Sequence, residues 1–286
     1  MSGHQRPHDA SAGATDSAAR TRRACTFVRQ LAHDLEMPPT TTCAALAILH
    51  AYKAERDRPG GSGFDTEGKQ LGAASSAREK EKSPLEWYKV ECAAAVLLAC
   101  KSGEVARKVR DVVNVTHLRG SSSSQPIQVT AEFWDLRDAV VAAEQDLLRA
   151  LGFGVRPDLP FAFLLNYLRA LAAPAALAST AYTLLVESFD VDLAGRYLPH
   201  VIAAGCIYAA SLVTEIPLDP PSWHQVISVS RADLEDVAAT LVALLEQAAA
   251  RLPPKPAPIT EAEVEAAKEE DEKKSREFRL WLRATK

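Results

Sequence analysis

Two charged residues stand where charge is expensive. Glu144 lies among Val140, Val141, Leu147 and Leu148, and Lys101 follows Leu97 and Leu98 by one helical turn. A carboxylate on an apolar helix face costs free energy unless a partner hydrogen-bonds it. A lysine stem can lie along apolar surface and leave its ammonium free to be such a partner. The pair therefore supports two chemistries. The two charges can close a salt bridge inside the protein, or they can rim an apolar groove and fix a second helix in register through hydrogen bonds. The other reactive residues offer less. His33, His50, His117, His200 and His224 have no partner at ligand or triad spacing and read as surface or hydrogen-bonded residues. Cys25, Cys43, Cys92, Cys100 and Cys206 are odd in number and lack CxxC spacing. Four of them fall in apolar helical patterns, so they read as reduced, intracellular core thiols and not as a disulfide or zinc framework. No Gly-rich phosphate loop, HExxH or GxSxG is present. Nothing in the sequence requires catalysis, a metal or a cofactor.

Composition narrows the classes further. Apolar residues make up 47% and charged residues 24% of 286 positions, which fits a globular protein with room for two domains. The longest apolar run, Val201 to Val213, is shorter than the ~20 residues a membrane span needs. No secretory signal is expected, because no apolar run follows the N-terminal charges. A net charge of −4 argues against duplex nucleic acid as the main partner.

The carrier of Glu144 is the stretch Thr130 to Val155. Thr130 is placed to cap a helix and Gly152 to end it. One apolar stripe is Phe133, Leu136, Val140, Ala143, Leu147 and Leu151; a second is Trp134, Val141 and Leu148. Two stripes predict a central helix surrounded by others. The carrier of Lys101 is a helix opened by Ser83-Pro84-Leu85-Glu86, with a capping serine, proline at the first helical position and glutamate at the third. Its run Cys92 to Cys100 is made largely of small residues, which let neighbouring helices come close, and Ser102-Gly103 stops it.

Three more helices complete a first set of five: Thr21 to Glu36, with Phe27, Val28, Leu31 and Leu35 inward; Thr40 to Ala54, with Leu46, Ile48 and Leu49 as core; and Glu104 to His117, with Val105, Val109, Val112 and Val113 inward. Residues 1–19 read as a disordered arm. Residues 55–83, rich in glycine and charge, read as a disordered insertion or a partner-binding loop.

The second half repeats the pattern. Helices are expected near 159–172, 176–189, 200–213, 223–229 and from Ser230 to Arg251. Ala93 to Ala99 can be laid on Ala203 to Ala209 without a gap, which sets Ser211 opposite Lys101. Only the first set then carries the lysine. Four prolines from Pro253 to Pro258 lead to a charged helix opened by Thr260-Glu261-Ala262-Glu263, supported by Glu269–Lys273 and Glu270–Lys274 pairs. It ends in Phe278, Trp281 and Leu282, and is either a solvated appendage or a docking helix.

At this point the sequence resembles the cyclins, whose box of five helices usually occurs in tandem. The Ala-x-Lys pattern that ends the third cyclin helix matches Ala99-Cys100-Lys101, and the Glu, Leu and Phe of the fifth match Glu144, Leu148 and Phe153, followed by Val155. The resemblance spans about 20–247 and is densest from Val109 to Phe153. It implies an all-α fold of two tandem boxes, 20–155 and 156–251, followed by a linker and charged tail, 252–286. It also implies a non-enzymatic role. Cyclins bind and activate a cyclin-dependent kinase by packing on its regulatory helix, and the residues carried over are Lys101, Glu144, Leu148, Phe153 and Val155. Val109 to Val115 and Phe133 to Asp138 look most like the cyclin Q branch, whose partner is the tenth kinase of the series. Lys101 is followed by Ser102-Gly103-Glu104, where cyclins often carry an aromatic or apolar residue and then acidic ones. The first helix has no match to the docking motif of cell-cycle cyclins and the arm no destruction box, which favours a transcription-type cyclin. The family implies a nuclear location, with a cytoplasmic pool allowed. Two other readings stay open: a cyclin-fold scaffold of the general transcription factor B type, and a helical module with no kinase partner.

Overall fold

The computed structural model describes residues 9–57, 85–121 and 125–250, with side chains at all of these except 9–18, 57 and 248. Ten α-helices are found among the described residues, and no strand. They are α1 (Asp9–Asp34), α2 (Pro39–Asp57), α3 (Trp87–Ser102), α4 (Val109–Gly120), α5 (Ala131–Ala150), α6 (Phe161–Ala170), α7 (Ala175–Glu187), α8 (Pro199–Thr214), α9 (Trp223–Val226) and α10 (Arg231–Ala249). A single 3-10 turn, Ser188–Asp190, follows α7. The order is the expected one, five helices and then five. The chain divides into two units, Met1–Leu241 and Val242–Lys286. The described part of the second is the end of α10 and Ala250.

The helix enclosed on every side is α3. Its eleven consecutive residues from Val90 to Cys100 are all buried, and it packs against α1, α2, α4 and α5. Six of the eleven are alanine or cysteine, Cys92 to Ala95 and then Ala99 and Cys100, which keeps the helix thin enough for neighbours on all faces. One member is charged. Glu91 is satisfied by Arg56 of α2, whose Nη1 donates at 3.1 Å. The expectation that α5 is the central helix is corrected here. Its first stripe is buried from Phe133 to Leu147, but Trp134 is exposed and Val141 and Leu148 are half-buried. Periodicity identifies both stripes without telling which is covered.

Several boundaries also differ from the sequence reading. Helix α1 begins at Asp9, inside the stretch 1–19 read as a disordered arm. Ala10, Ala12, Ala14, Ala18 and Ala19 supply helix propensity that an apolar-periodicity reading does not register. Helix α3 begins at Trp87, with Glu86 extended at the cap, and not at Pro84. Helix α4 begins at Val109 because Glu104 belongs to the end of α3. Val105 N–H donates to the Cys100 carbonyl at 2.9 Å, and Glu104 takes a left-handed φ of 56°. Thr130 stands at the cap of α5, but its hydroxyl donates back to the Gln128 carbonyl at 3.3 Å. Ser230 does cap α10, accepting the Asp233 N–H at 3.1 Å. Of the insertion read as 55–83, residues 55–57 are the end of α2; the rest of it, with the prolines from Pro253 and the charged tail helix, lies outside the described residues.

The second set packs around α8, which is buried from Val201 to Ile207 and lies against α6 and α7. Gly205 is the close-approach point. A Cβ there would stand 2.4 Å from Val237 Cγ1 of α10. Its partner in the repeat alignment, Ala95, has that Cβ and is fully buried.

The two sets are joined by a polar clamp. Arg29 of α1 donates to Asp190 at 2.7 Å and to the Val186 carbonyl at 2.9 Å, with Glu187 at 3.6 Å. Beside it, buried His50 of α2 donates to the Phe189 carbonyl at 2.9 Å. Just past the C-terminus of α1, Arg107 donates to the carbonyls of Leu35 at 2.6 Å and Glu36 at 2.8 Å. This satisfies groups that a helix C-terminus leaves open. All five cysteines are buried and free. Burial pushes the Cys25 thiol up to about 11 and Cys43 up to about 12.

Two outcomes follow. Gly205→Ala gains helix propensity but forces α8 from α10, lowering stability by about 1–3 kcal/mol; Val237→Ala in the same chain recovers most of the loss in a thermal melt. Burial holds the His50 pKa below its ordinary 6.5 despite the Phe189 carbonyl bond. The unfolded chain then binds the extra proton. This contribution to stability is present above pH 6.5 and is lost as pH falls through the lower folded value. Melts of His50→Gln should therefore show a flatter pH dependence below about pH 6.5 than the parent.

Candidate partner-binding site

Helix α3 is enclosed from Val90 to Cys100, so it meets solvent only in its first and last turns. Lys101 sits in the last turn, exposed, and reaches back to Glu144 on α5. Nζ donates to Oε1 at 2.7 Å and to Oε2 at 2.8 Å. Glu144 is 7% exposed and Lys101 is its one charged partner among the described residues. The internal salt bridge weighed from sequence is therefore present. It lies at the surface, with the carboxylate buried and the ammonium half in solvent.

The ends of α3 and α5 are also held together beyond this pair, since Arg156 lies 4.0 Å from Glu104 in the following turn. Both groups are largely exposed, so this second pair contributes little. In the second helix set, Ser211 donates to the Tyr208 carbonyl of its own helix at 2.8 Å.

The three apolar candidates follow Glu144 along the chain. Leu148 is one turn on and half-buried. Helix α5 then ends in a Schellman turn. Phe153 N–H donates to the Leu148 carbonyl at 2.8 Å and Gly152 N–H to the Arg149 carbonyl at 3.1 Å. Gly152 has φ 55°, as that turn requires, and Phe153 follows with φ 62°. A bulky residue in the left-handed region is uncommon and strained. The ring it carries is 70% exposed. Val155 N–H donates to the Phe153 carbonyl at 3.0 Å, and its side chain is half-buried. The structure thus brings Lys101 and Glu144 into contact and strings Leu148, Phe153 and Val155 out from them.

What the sequence reading missed lies at the other end of the same helix. Arg137 stacks over the Trp134 ring at 4.9 Å and is tied to Asp138 at 2.7 Å. Trp134 was visible only as part of the second stripe. Its spacing of seven residues from Val141, and of seven more to Leu148, was the signal.

The fold has solved counterparts. The structure superposes on a chain of the yeast RNA Pol II CTD kinase CTDK-1 complex with a TM-score of 0.62, at 14% identity, covering 90% of this chain and 77% of that one. It superposes on a viral cyclin from herpesvirus saimiri with a TM-score of 0.55, at 16% identity, covering 81% of this chain and 86% of that one. This is the cyclin fold. By sequence, the chain is 32% identical to mouse cyclin-L2 over 151 residues, which is 50% of this chain and 29% of that protein. It is 29% identical to human cyclin-L1 over 157 residues, covering 52% and 30%. The chain thus matches less than a third of the length of these relatives. No family model matches. Together the sequence and fold likenesses support the cyclin family.

Removing one partner of the Lys101–Glu144 pair separates its structural share from its surface role. Lys101→Met leaves a buried carboxylate without its cation and lowers stability by about 1–3 kcal/mol. Adding Glu144→Leu recovers most of that loss, because an apolar replacement of both partners removes the desolvation penalty. Thermal melts of the single and double variants check both steps.

Proposed function

We propose that this chain is a cyclin that binds a cyclin-dependent protein kinase and activates it by packing on the kinase's regulatory helix. One observation carries the reading. On a cyclin fold, the Lys101–Glu144 pair sits at the surface beside Leu148 and an outward Phe153 held in strained left-handed backbone. A charged pair with one half in solvent can hydrogen-bond the backbone of an arriving helix. Leu148, Phe153 and Val155 supply apolar contact alongside. The chain does no chemistry itself. A kinase needs its catalytic lysine paired with a glutamate on a mobile helix. A rigid face that binds only the inward position of that helix draws the kinase toward activity. Moving that equilibrium from 1:99 to 99:1 takes about 5.5 kcal/mol of differential binding. A few apolar anchors within an interface of ordinary size can supply it.

The finer reading is a transcription-type cyclin of the cyclin Q kind, with the tenth kinase of the series as its partner in a nuclear heterodimer. The likeness of Val109 to Val115 and Phe133 to Asp138 supports it. The curated relatives bear the name cyclin L, and one structural neighbour belongs to a complex named for RNA polymerase II. Both favour the transcription-type side of the family.

The test is co-purification with a panel of cyclin-dependent kinases, the tenth included, alongside phosphorylation of a peptide substrate. The wild-type chain is expected to retain one kinase and raise its activity, and Lys101→Glu and Glu144→Lys to lose it. The swap carrying both changes is the decisive variant. It can rebuild the internal ion pair, and so the fold, while reversing the charges offered to the partner. Normal binding by the swap, or no kinase retained by folded wild-type chain, would sink the reading.

A further inference from the structure

We infer that the kinase-binding face continues along α5 past the five residues above, and that Trp134 and Val141 anchor a second apolar contact with the same kinase. The inference rests on the proposed kinase-binding role. Trp134, Val141 and Leu148 recur at seven-residue spacing, so they lie on one flank of α5, the flank that also carries Glu144. From Trp134 to Leu148 this strip runs about 21 Å. Leu148 and Phe153 occupy only its C-terminal end.

The Trp134 indole is 47% exposed and already held in place. The buried Phe133 ring meets it edge-on at 5.4 Å, and Arg137 lies over it at 4.9 Å. Arg137 is itself fixed by Asp138, with Nε donating at 2.9 Å. A large aromatic kept rigid in water loses little conformational entropy when something covers it, which is the property of an anchor.

Charge selects what covers it. The ionic groups along the strip are closed within the chain, Lys101 on Glu144 and Arg137 on Asp138. A strip whose cations are each balanced by a neighbouring acid favours uncharged apolar side chains over a strongly acidic or basic peptide. It is also continuous with the Leu148 and Phe153 end, so one body lying on that end extends along the whole strip. The occupant is therefore the apolar kinase surface that adjoins the regulatory helix.

The experiment measures the affinity of the full chain for the kinase that wild type retains in the panel, by titration calorimetry. Trp134→Ala is expected to weaken Kd by about tenfold or more, and Val141→Ser to weaken it less. Asp135→Ala, exposed and away from the strip, should leave Kd unchanged. Helicity and melting temperature are checked for each variant; Trp134 is half-exposed, so its removal should spare the fold. If Lys101→Glu abolishes binding while Trp134→Ala binds as wild type, the extended strip is wrong and the proposed function stands. If folded wild-type chain binds no kinase, both fall together. If wild-type chain self-associates on sedimentation and Trp134→Ala abolishes that, a second copy covers the strip and the inference is overturned.

Discussion

A helix buried on all sides can offer a charge to the outside only at its tip, and α3 obeys this constraint. Its small residues allow α1, α2, α4 and α5 to close around it, and the same closeness leaves no room for a free ionic group along its length. Glu91 is tolerated because Arg56 reaches it. Lys101 is tolerated because the helix is about to end. The position of the lysine, and through it of Glu144, is thus a by-product of the packing of the core. The surface pair and the core are one design, in which the carboxylate is drawn inward by its helix and the ammonium outward by the end of its own.

Much of this was legible in the chain. The five-and-five order, the buried faces of α1 and α2 and the end of α5 at Gly152 follow from apolar spacing and glycine placement. The cost of an unpaired carboxylate demands a partner for Glu144, and the bridge to Lys101 is one of the two readings the sequence leaves open. The misses have physical reasons. The stripe of Trp134, Val141 and Leu148 looks the same in sequence whether a helix covers it or nothing does. Glu104 resembles a helix start, yet the Schellman turn closing α3 claims it first. The alanine-rich beginning of α1 carries no apolar stripe, so only propensity speaks for it.

The long-range polar contacts were invisible for a different reason. Arg29 meets Asp190, and Arg107 meets the end of α1, across chain separations that no local pattern encodes. Yet these contacts set the geometry of the first unit. Arg29 draws together α1, the end of α7 and the following 3-10 turn, while His50 reaches the same turn from α2. The first helix set is thereby tied to the second by hydrogen bonds with defined directions, where an apolar contact alone would permit sliding.

The left-handed pair Gly152-Phe153 has a temporal consequence. A ring that had to find its outward pose only after meeting another molecule would slow capture, since the encounter would wait on a backbone rearrangement. Here the unfavourable dihedral is already in place and is upheld by the two hydrogen bonds that close α5. The folding of the helix end has done the work in advance. For the partner proposed above, this corner is a finished shape, so capture would wait on diffusion and orientation and not on rebuilding the turn.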